Sequence, residues 1–324
     1  DQGADVSIEE MGAEVENIDK LAKKAVGYGK NGSIWSRYQK IHNLDKKKYV
    51  IDESFKVEEA KLRELIQERA VPLEQKAVNA SASYNGSGFD LTDEAEGYTV
   101  DVDKSVKKIK NFMNKKWNYE DAEVELKLDT EEPTIKKADL ESLQDELGSY
   151  TTNAGWGDRV QNIRRATELI NGTVVMPGEE FSVEQATLPY TEENGYVAGS
   201  AYENGQIVES IGGGLCQIST TLYNAVLYAE LEVTRRAPHS MSVSYVEPSR
   251  DAMIAEGISD FKFVNNYDTP ILIEGYIDGN NQLGFYIYGK DTRAAGHSVK
   301  FESETLETTK RLWVKVNKCP VKMD

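Results

Sequence analysis

The sequence predicts a mixed α+β protein of two domains with a short extension behind them. Three observations carry that prediction. At 324 residues the chain is too long for one ordinary small domain. Its hydrophobic content (39%) and aromatic content (9%) suffice for packed cores. The pattern also changes near Gly148: alternating short strands and amphipathic helices precede it, and Gly- and Tyr-rich segments with one apolar helix and a run of strands follow. The expected boundaries are 1–148, 149–293 and an extension over 294–324.

In the first domain Val15, Ile18, Ala22 and Ala25 recur at helical spacing up to Gly27. A second helix is expected around Val57, Ala60 and Leu65, and a third around Val106, Ile109 and Met113. Tyr49-Val50-Ile51-Asp52 and Tyr98-Thr99-Val100-Asp101 read as strands 49 positions apart, an offset that Val57/Val106 and Lys61/Lys110 keep. That offset predicts two related strand–helix units. Ala80 to Gly88 reads as a loop or exposed hairpin, and Leu126 to Leu147 closes the domain.

Ser149 to Gly157 is rich in turn formers and reads as a bridge into the second domain. Asp158 is placed to cap a helix through Ile163, Ala166 and Ile170 that Gly172 ends. Met176-Pro177-Gly178 reads as a turn. Leu222, Ala225, Val226 and Ala229 mark one clear helix after Cys216. Pro270–Ile273 and Leu283–Tyr288 read as strands joined by the tight turn Asp278-Gly279-Asn280-Asn281.

A net charge of −17 argues against nucleic acid, because phosphate binding needs a basic footprint. Lys46-Lys47-Lys48 reads as a solvated face. No run of about 18 apolar residues is present, so no membrane span is expected, nor is a signal peptide. The start at Asp1 is expected to reflect a processed ectodomain. Cys216 and Cys319 have unlike surroundings, which argues against a disulfide between them. No His/Cys spacing suits zinc and no calcium loop is complete, so neither a metal nor another cofactor is expected.

The chemistry concentrates in Gly212-Gly213-Gly214-Leu215-Cys216-Gln217. Consecutive glycines suit close backbone approach or unusual dihedrals. A cysteine at a helix start meets unpaired N–H groups that would lower its pKa and could hold an oxyanion. The plain alternative is a small buried apolar residue beside a structural turn. A cysteine nucleophile needs a base, and of His42, His239 and His297 only His239 lies at a strand entry in the cysteine's domain. Asp251 is the expected orienting group, with Asn265 second.

The same residues resemble a VanW domain. The resemblance runs from about Asp158 to Lys290 through Arg159, Asn162-Ile163, Pro177-Gly178, Phe181-Ser182, Gly195-Tyr196, Gly212 to Tyr223, His239-Ser240, Tyr245-Val246, Asp251-Ala252 and Asn265. Ser249 departs from it by standing where a glycine is expected. The first domain, roughly Ile8 to Leu147, resembles more loosely the peptidoglycan-binding domain that often precedes VanW.

The resemblance implies an extracytoplasmic protein of a Gram-positive wall, held by a membrane anchor outside this sequence and acting on peptidoglycan stem peptides. It further implies L,D-transpeptidase activity, with Cys216 as nucleophile and His239 as base. Gly213, Gly214, Gln217, Ser219, Thr220, Arg159, Asn162 and Tyr245 are then expected around the substrate. Better-known L,D-transpeptidases carry histidine before cysteine, so shared chemistry would be convergent. Two alternatives stand beside transpeptidation: hydrolysis of stem peptides by the same cysteine, and a non-catalytic wall- or glycopeptide-binding module lined by Trp156, Tyr190, Tyr196 and Tyr202. The sequence leaves the oligomeric state open.

Overall fold

The computed structural model describes residues 3–51, 55–118, 120–203 and 206–306, so Cys319 lies outside the described residues. The chain divides into two compact units, 1–80 with 93–136, and 81–92 with 137–324.

In the first unit the helices Glu59–Arg69 and Val102–Lys115 pack together. Leu62, Ile66, Val106 and Met113 recur at helical spacing and are buried with Met11, Val57 and Ala70. Each large side chain so buried contributes roughly 1.5–3 kcal/mol. The longer helix starts where the Asp101 side chain accepts from the Lys104 N–H at 2.8 Å.

Each of the two helices is preceded by a strand, Phe55–Lys56 and Gly97–Val100, but the elements do not keep the offset of 49. Gly97–Val100 is a strand paired with Leu128–Glu131, whereas 49–51 carry no strand and Asp52 lies outside the described residues. Val57 precedes its helix while Val106 sits inside one. Both valines are buried in one core.

The second unit is built on an antiparallel sheet in the order Asp145–Asn153, Gln282–Gly289, Ile271–Ile277, Thr173–Val175. A smaller antiparallel sheet joins Glu232–Arg235, Lys262–Val264 and Glu180–Ser182. Helix Leu215–Tyr228 packs on the first two strands of the larger sheet and on helix Arg159–Ile170. Its Ile218, Leu222, Ala225 and Val226 are fully buried, which makes it the central element of this core.

Gly148, expected at a domain boundary, lies inside strand Asp145–Asn153. A Cβ there would stand 2.4 Å from the Ala229 backbone nitrogen, so the glycine allows the strand to press against the end of the central helix. The expected bridge from Ser149 onward is therefore strand as far as Asn153. Asp158 precedes helix Arg159–Ile170 but makes no side-chain cap bond. The expected hairpin turn is present, with the Asn281 N–H donating to Asp278 O and the Asp278 N–H to Gln282 O.

The 80–88 segment does form a hairpin, Ala82–Tyr84 with Phe89–Leu91. Most of its residues are exposed, as expected, yet it is anchored at one side. The Tyr84 N–H donates to Glu274 Oε1 at 2.6 Å, and the Tyr84 and Phe89 rings pack on Tyr288 at 4.8 and 5.3 Å.

Candidate active site

The hairpin Ala198–Glu203/Gln206–Ile211 delivers the chain into the glycine turn. Gly212 and Gly214 have φ of 81° and 106°, in the left-handed region where a Cβ is disfavoured. Gly213 serves close approach instead: a Cβ on it would stand 2.3 Å from the Gly199 carbonyl oxygen. The buried Asn162 fastens this junction. Its Nδ2 donates to Val197 O and Gly213 O at 3.0 and 2.9 Å, and its Oδ1 accepts from the Val197 N–H at 2.8 Å.

Helix Leu215–Tyr228 begins directly after Gly214, which places Cys216 in its first turn. The thiol is partly buried and donates to Ile254 O at 3.3 Å. Burial pushes its pKa up, and the nearby Asp251 charge adds to that. The Ile254 contact, the cysteine's own backbone and the Arg159 cation pull the other way without prevailing. The resting thiol is therefore held protonated, against the lowering expected from the helix terminus. The N–H groups expected to form an anion trap are in part engaged, since Leu215 N donates to Gly212 O at 3.3 Å and Gln217 N to Gly214 O at 3.0 Å.

His239 and Asp251 meet directly. Asp251 Oδ2 lies 2.6 Å from the His239 ring Nδ1 and accepts from the His239 N–H at 2.6 Å. Arg236 adds a guanidinium bond to Asp251 Oδ1 at 3.2 Å and another to its carbonyl at 2.7 Å. Burial opposes charge on Asp251, but the backbone and ring bonds from His239 outweigh it, so the carboxyl stays below its ordinary range. A carboxylate only accepts, so Nδ1 carries a proton, and in the neutral ring Nε2 would keep the lone pair. Among the described residues no hydrogen bond joins His239 to Cys216. Asn265 is elsewhere: its Nδ2 donates to Val175 O and Thr269 O.

The remaining expected site residues mostly act as supports. Gln217, Ser219, Thr220 and Asn162 are buried. Ser219 and Thr220 donate to Ala252 O at 2.5 and 3.2 Å, and Thr220 Oγ1 accepts from the Ala252 N–H at 3.0 Å. They thereby tie the cysteine helix to the residue next to Asp251. Gln217 donates to Thr152 Oγ1 and Asn153 O, and Arg159 reaches Ala154 O and Gln217 Oε1. Asn162, Gln217, Ser219 and Thr220 are buried and Arg159 is partly buried, and each is hydrogen-bonded within the fold. For Tyr245, burial raises the hydroxyl pKa, and a Thr220 hydrogen bond opposes the rise.

Two residues that the sequence reading passed over complete the loop. Arg236 braces Asp251, and Asn224 exchanges hydrogen bonds with Arg250, donating to its carbonyl and accepting from Nε. Of the aromatics expected to line a binding groove, Trp156 is exposed, and Tyr196 is core with its hydroxyl on Thr187 O. Tyr190 packs edge-on against Tyr196, and burial pushes its hydroxyl up to about 12. The side chain of Tyr202 lies outside the described ones. Among the described residues no group of three or more His, Cys, Asp or Glu side chains gathers as a metal site, and no helix is long and apolar enough to cross a membrane.

Residues 158–288 match the family described as VanW like protein, and Cys216, His239 and Asp251 all lie within the matched stretch. Residues 4–122 match the family described as putative peptidoglycan binding domain. Among curated proteins, the uncharacterized protein YoaR of Bacillus subtilis (strain 168) is 36% identical over 187 residues, covering 56% of this chain and 61% of that protein. The vancomycin B-type resistance protein VanW of Enterococcus faecalis (strain ATCC 700802 / V583) is 28% identical over 171 residues, covering 48% of this chain and 62% of that protein. Each match thus spans about three fifths of the relative's length. No solved structure matches.

Proposed function

We propose that this protein works on peptidoglycan and that its VanW-like domain is a cysteine acyltransferase, an L,D-transpeptidase acting on stem tetrapeptides outside the cell. The observation that carries this reading is the His239–Asp251 pair, bonded at 2.6 Å in the loop that also supplies the Ile254 carbonyl to the Cys216 thiol. The match of residues 4–122 to a peptidoglycan-binding family supports the substrate class.

In this scheme His239 Nε2 takes the thiol proton as Cys216 Sγ attacks the carbonyl carbon of the third stem residue. The tetrahedral adduct collapses, its C–N bond to the terminal D-alanine breaks, and Nε2 returns the proton to the leaving amine. An amine of a neighbouring stem then attacks the thioester, giving its proton to Nε2. The sulfur leaves and is reprotonated, and a 3–3 cross-link remains. Asp251 stays ionised throughout and stabilises the imidazolium. Because the resting thiol is held protonated, the scheme requires the proton transfer to accompany attack.

The raised thiol pKa also favours a second reading, in which the domain binds wall peptides without chemistry and Cys216 is structural. One experiment separates them. Wild type, Cys216→Ala and His239→Gln are incubated with purified disaccharide-tetrapeptide, followed by intact mass and muropeptide analysis. An adduct and 3–3 dimers with wild type alone, and a rate at least about 10²-fold lower for His239→Gln, support catalysis. Trimmed monomers in place of dimers would make the enzyme a hydrolase. Unchanged muropeptides from folded wild type that still retains the peptide would leave binding as the function.

A further inference from the structure

The first unit carries a feature that its core does not use. Strand residue Val15 pairs with Phe55, and between them the chain makes an excursion that contains helices Ile18–Gly27 and Ile34–Leu44. Neither helix has a buried residue, and none of their side chains belongs to the buried cluster of that unit. Yet both are amphipathic. In the first, Ile18, Leu21, Ala22, Ala25 and Val26 share one side, and Lys20, Lys23 and Lys24 the other. In the second, Ile34, Trp35, Tyr38 and Ile41 follow the same rule, opposite Ser36, Lys40 and Asn43.

The apolar side faces solvent: Ile34 is 85% exposed, Trp35 68%, Tyr38 58% and Ile41 55%. Exposed apolar side chains grouped in this way mark an interaction surface. The pair is locally ordered. Gly29, at φ 75°, turns the chain so closely past Ile41 that a Cβ would lie 2.9 Å from its side chain, and Tyr28 stacks on Tyr49 at 3.8 Å.

Charge identifies the partner. Residues 18–50 hold nine Lys and Arg against two Asp, a net +7 within a chain of net −17. A cationic amphipathic helix with Trp, Tyr and Ile on its apolar side suits the interface of an anionic bilayer, where aromatic rings sit at headgroup depth and Lys reaches the phosphates. Two copies meeting through this face would set +7 against +7.

We infer that the helix pair 18–27/34–44 is a membrane-surface element that seats Ile34, Trp35, Tyr38 and Ile41 in the interface of an anionic lipid leaflet. This is independent of any chemistry at Cys216, and it gives the exposed Lys46-Lys47-Lys48 a role at the lipid surface.

The test uses the full chain and vesicles of phosphatidylglycerol and phosphatidylcholine in equal parts, against phosphatidylcholine alone. Expected are co-sedimentation with the anionic vesicles, loss of most binding at high salt, and a blue shift of Trp emission that Trp35→Phe removes. Two variants, Trp35→Ser/Ile41→Ser and Lys46→Gln/Lys47→Gln/Lys48→Gln, should each weaken binding by about tenfold or more with unchanged circular dichroism. All the altered side chains are exposed. The inference is overturned if anionic vesicles do not retain the protein, if neutral vesicles retain it equally, or if the Trp35/Ile41 variant binds like wild type. Self-association that buries Trp35 without vesicle binding would overturn it as well.

Discussion

Replacing Asp251 with Asn tests the candidate site at its best-connected point. The carboxylate side chain is 10% exposed and accepts three bonds, from the His239 N–H, the His239 ring and Arg236. Asparagine keeps the shape and one acceptor, but removes the charge and turns a donor toward groups that are themselves donors. A charge-assisted bond is worth about 1.5–3 kcal/mol, and neutralising one member of a mostly buried pair costs about 3–5 kcal/mol. Since one acceptor survives, we expect about 2–4 kcal/mol lost at pH 7. For a unit of this size that lowers Tm by about 5–15 °C, measured by calorimetry on wild type and variant.

The pH dependence carries a second, sharper expectation. The folded-state pKa of Asp251 lies below its ordinary value, so its stabilisation is present above the unfolded value of about 3.9 and is lost as pH falls below that toward the folded value. The gap between wild type and Asp251→Asn should therefore stay constant from pH 7 to about 5 and narrow below about 4. A gap under about 1 kcal/mol at pH 7, or one that does not narrow in acid, would refute the reasoning.

Gly213→Ala should destabilise by about 2–3 kcal/mol in chemical denaturation, because its Cβ meets the Gly199 carbonyl and neither backbone can yield freely; a neutral result would refute the packing of this turn. Ser249 has φ 66°, so Ser249→Gly should relieve strain and add up to about 1 kcal/mol, read as a higher Tm. A fall in Tm would show that the serine side chain matters more than its backbone. Cys216 alkylation by iodoacetamide should be slower at pH 7 than that of an unfolded-chain cysteine and should climb only in the alkaline range, because burial raises the thiol pKa. Rapid labelling at pH 7 would refute that assignment.

Much of the second unit was legible because its signals are local. The apolar spacing of Leu222, Ala225 and Val226, the turn at Asp278–Asn281 and the glycines before Cys216 each act within a few residues. The glycine expected at position 249 shows the same locality, since the serine there occupies a left-handed backbone that glycine would tolerate better. What failed depended on distant partners. Gly148 resembles a linker glycine until the end of the central helix is laid against it, 77 or more residues later in the chain. Gln217, Ser219 and Thr220 sit in the reactive stretch, but the Ala252 and Asn153 groups that hydrogen-bond to them lie far along the chain and could not be read from it. The rise in the Cys216 pKa likewise comes from tertiary burial, which competes with the helix terminus and is invisible in a linear string.

The hairpin 81–92 has a bearing on how such a chain could be rearranged. It lies within the stretch that matches the peptidoglycan-binding family, yet it belongs to the second unit, where it folds against Glu274 and Tyr288. The polypeptide therefore crosses between units three times, at 80/81, 92/93 and 136/137. A recombination event that exchanged only the region after residue 136 would bring in a sheet without the hairpin that covers its tyrosines, and would leave an ill-matched hairpin on the recipient. Inheritance of the two units as one block, with 81–92 varying in step with 274–288, is the pattern this interleaving favours.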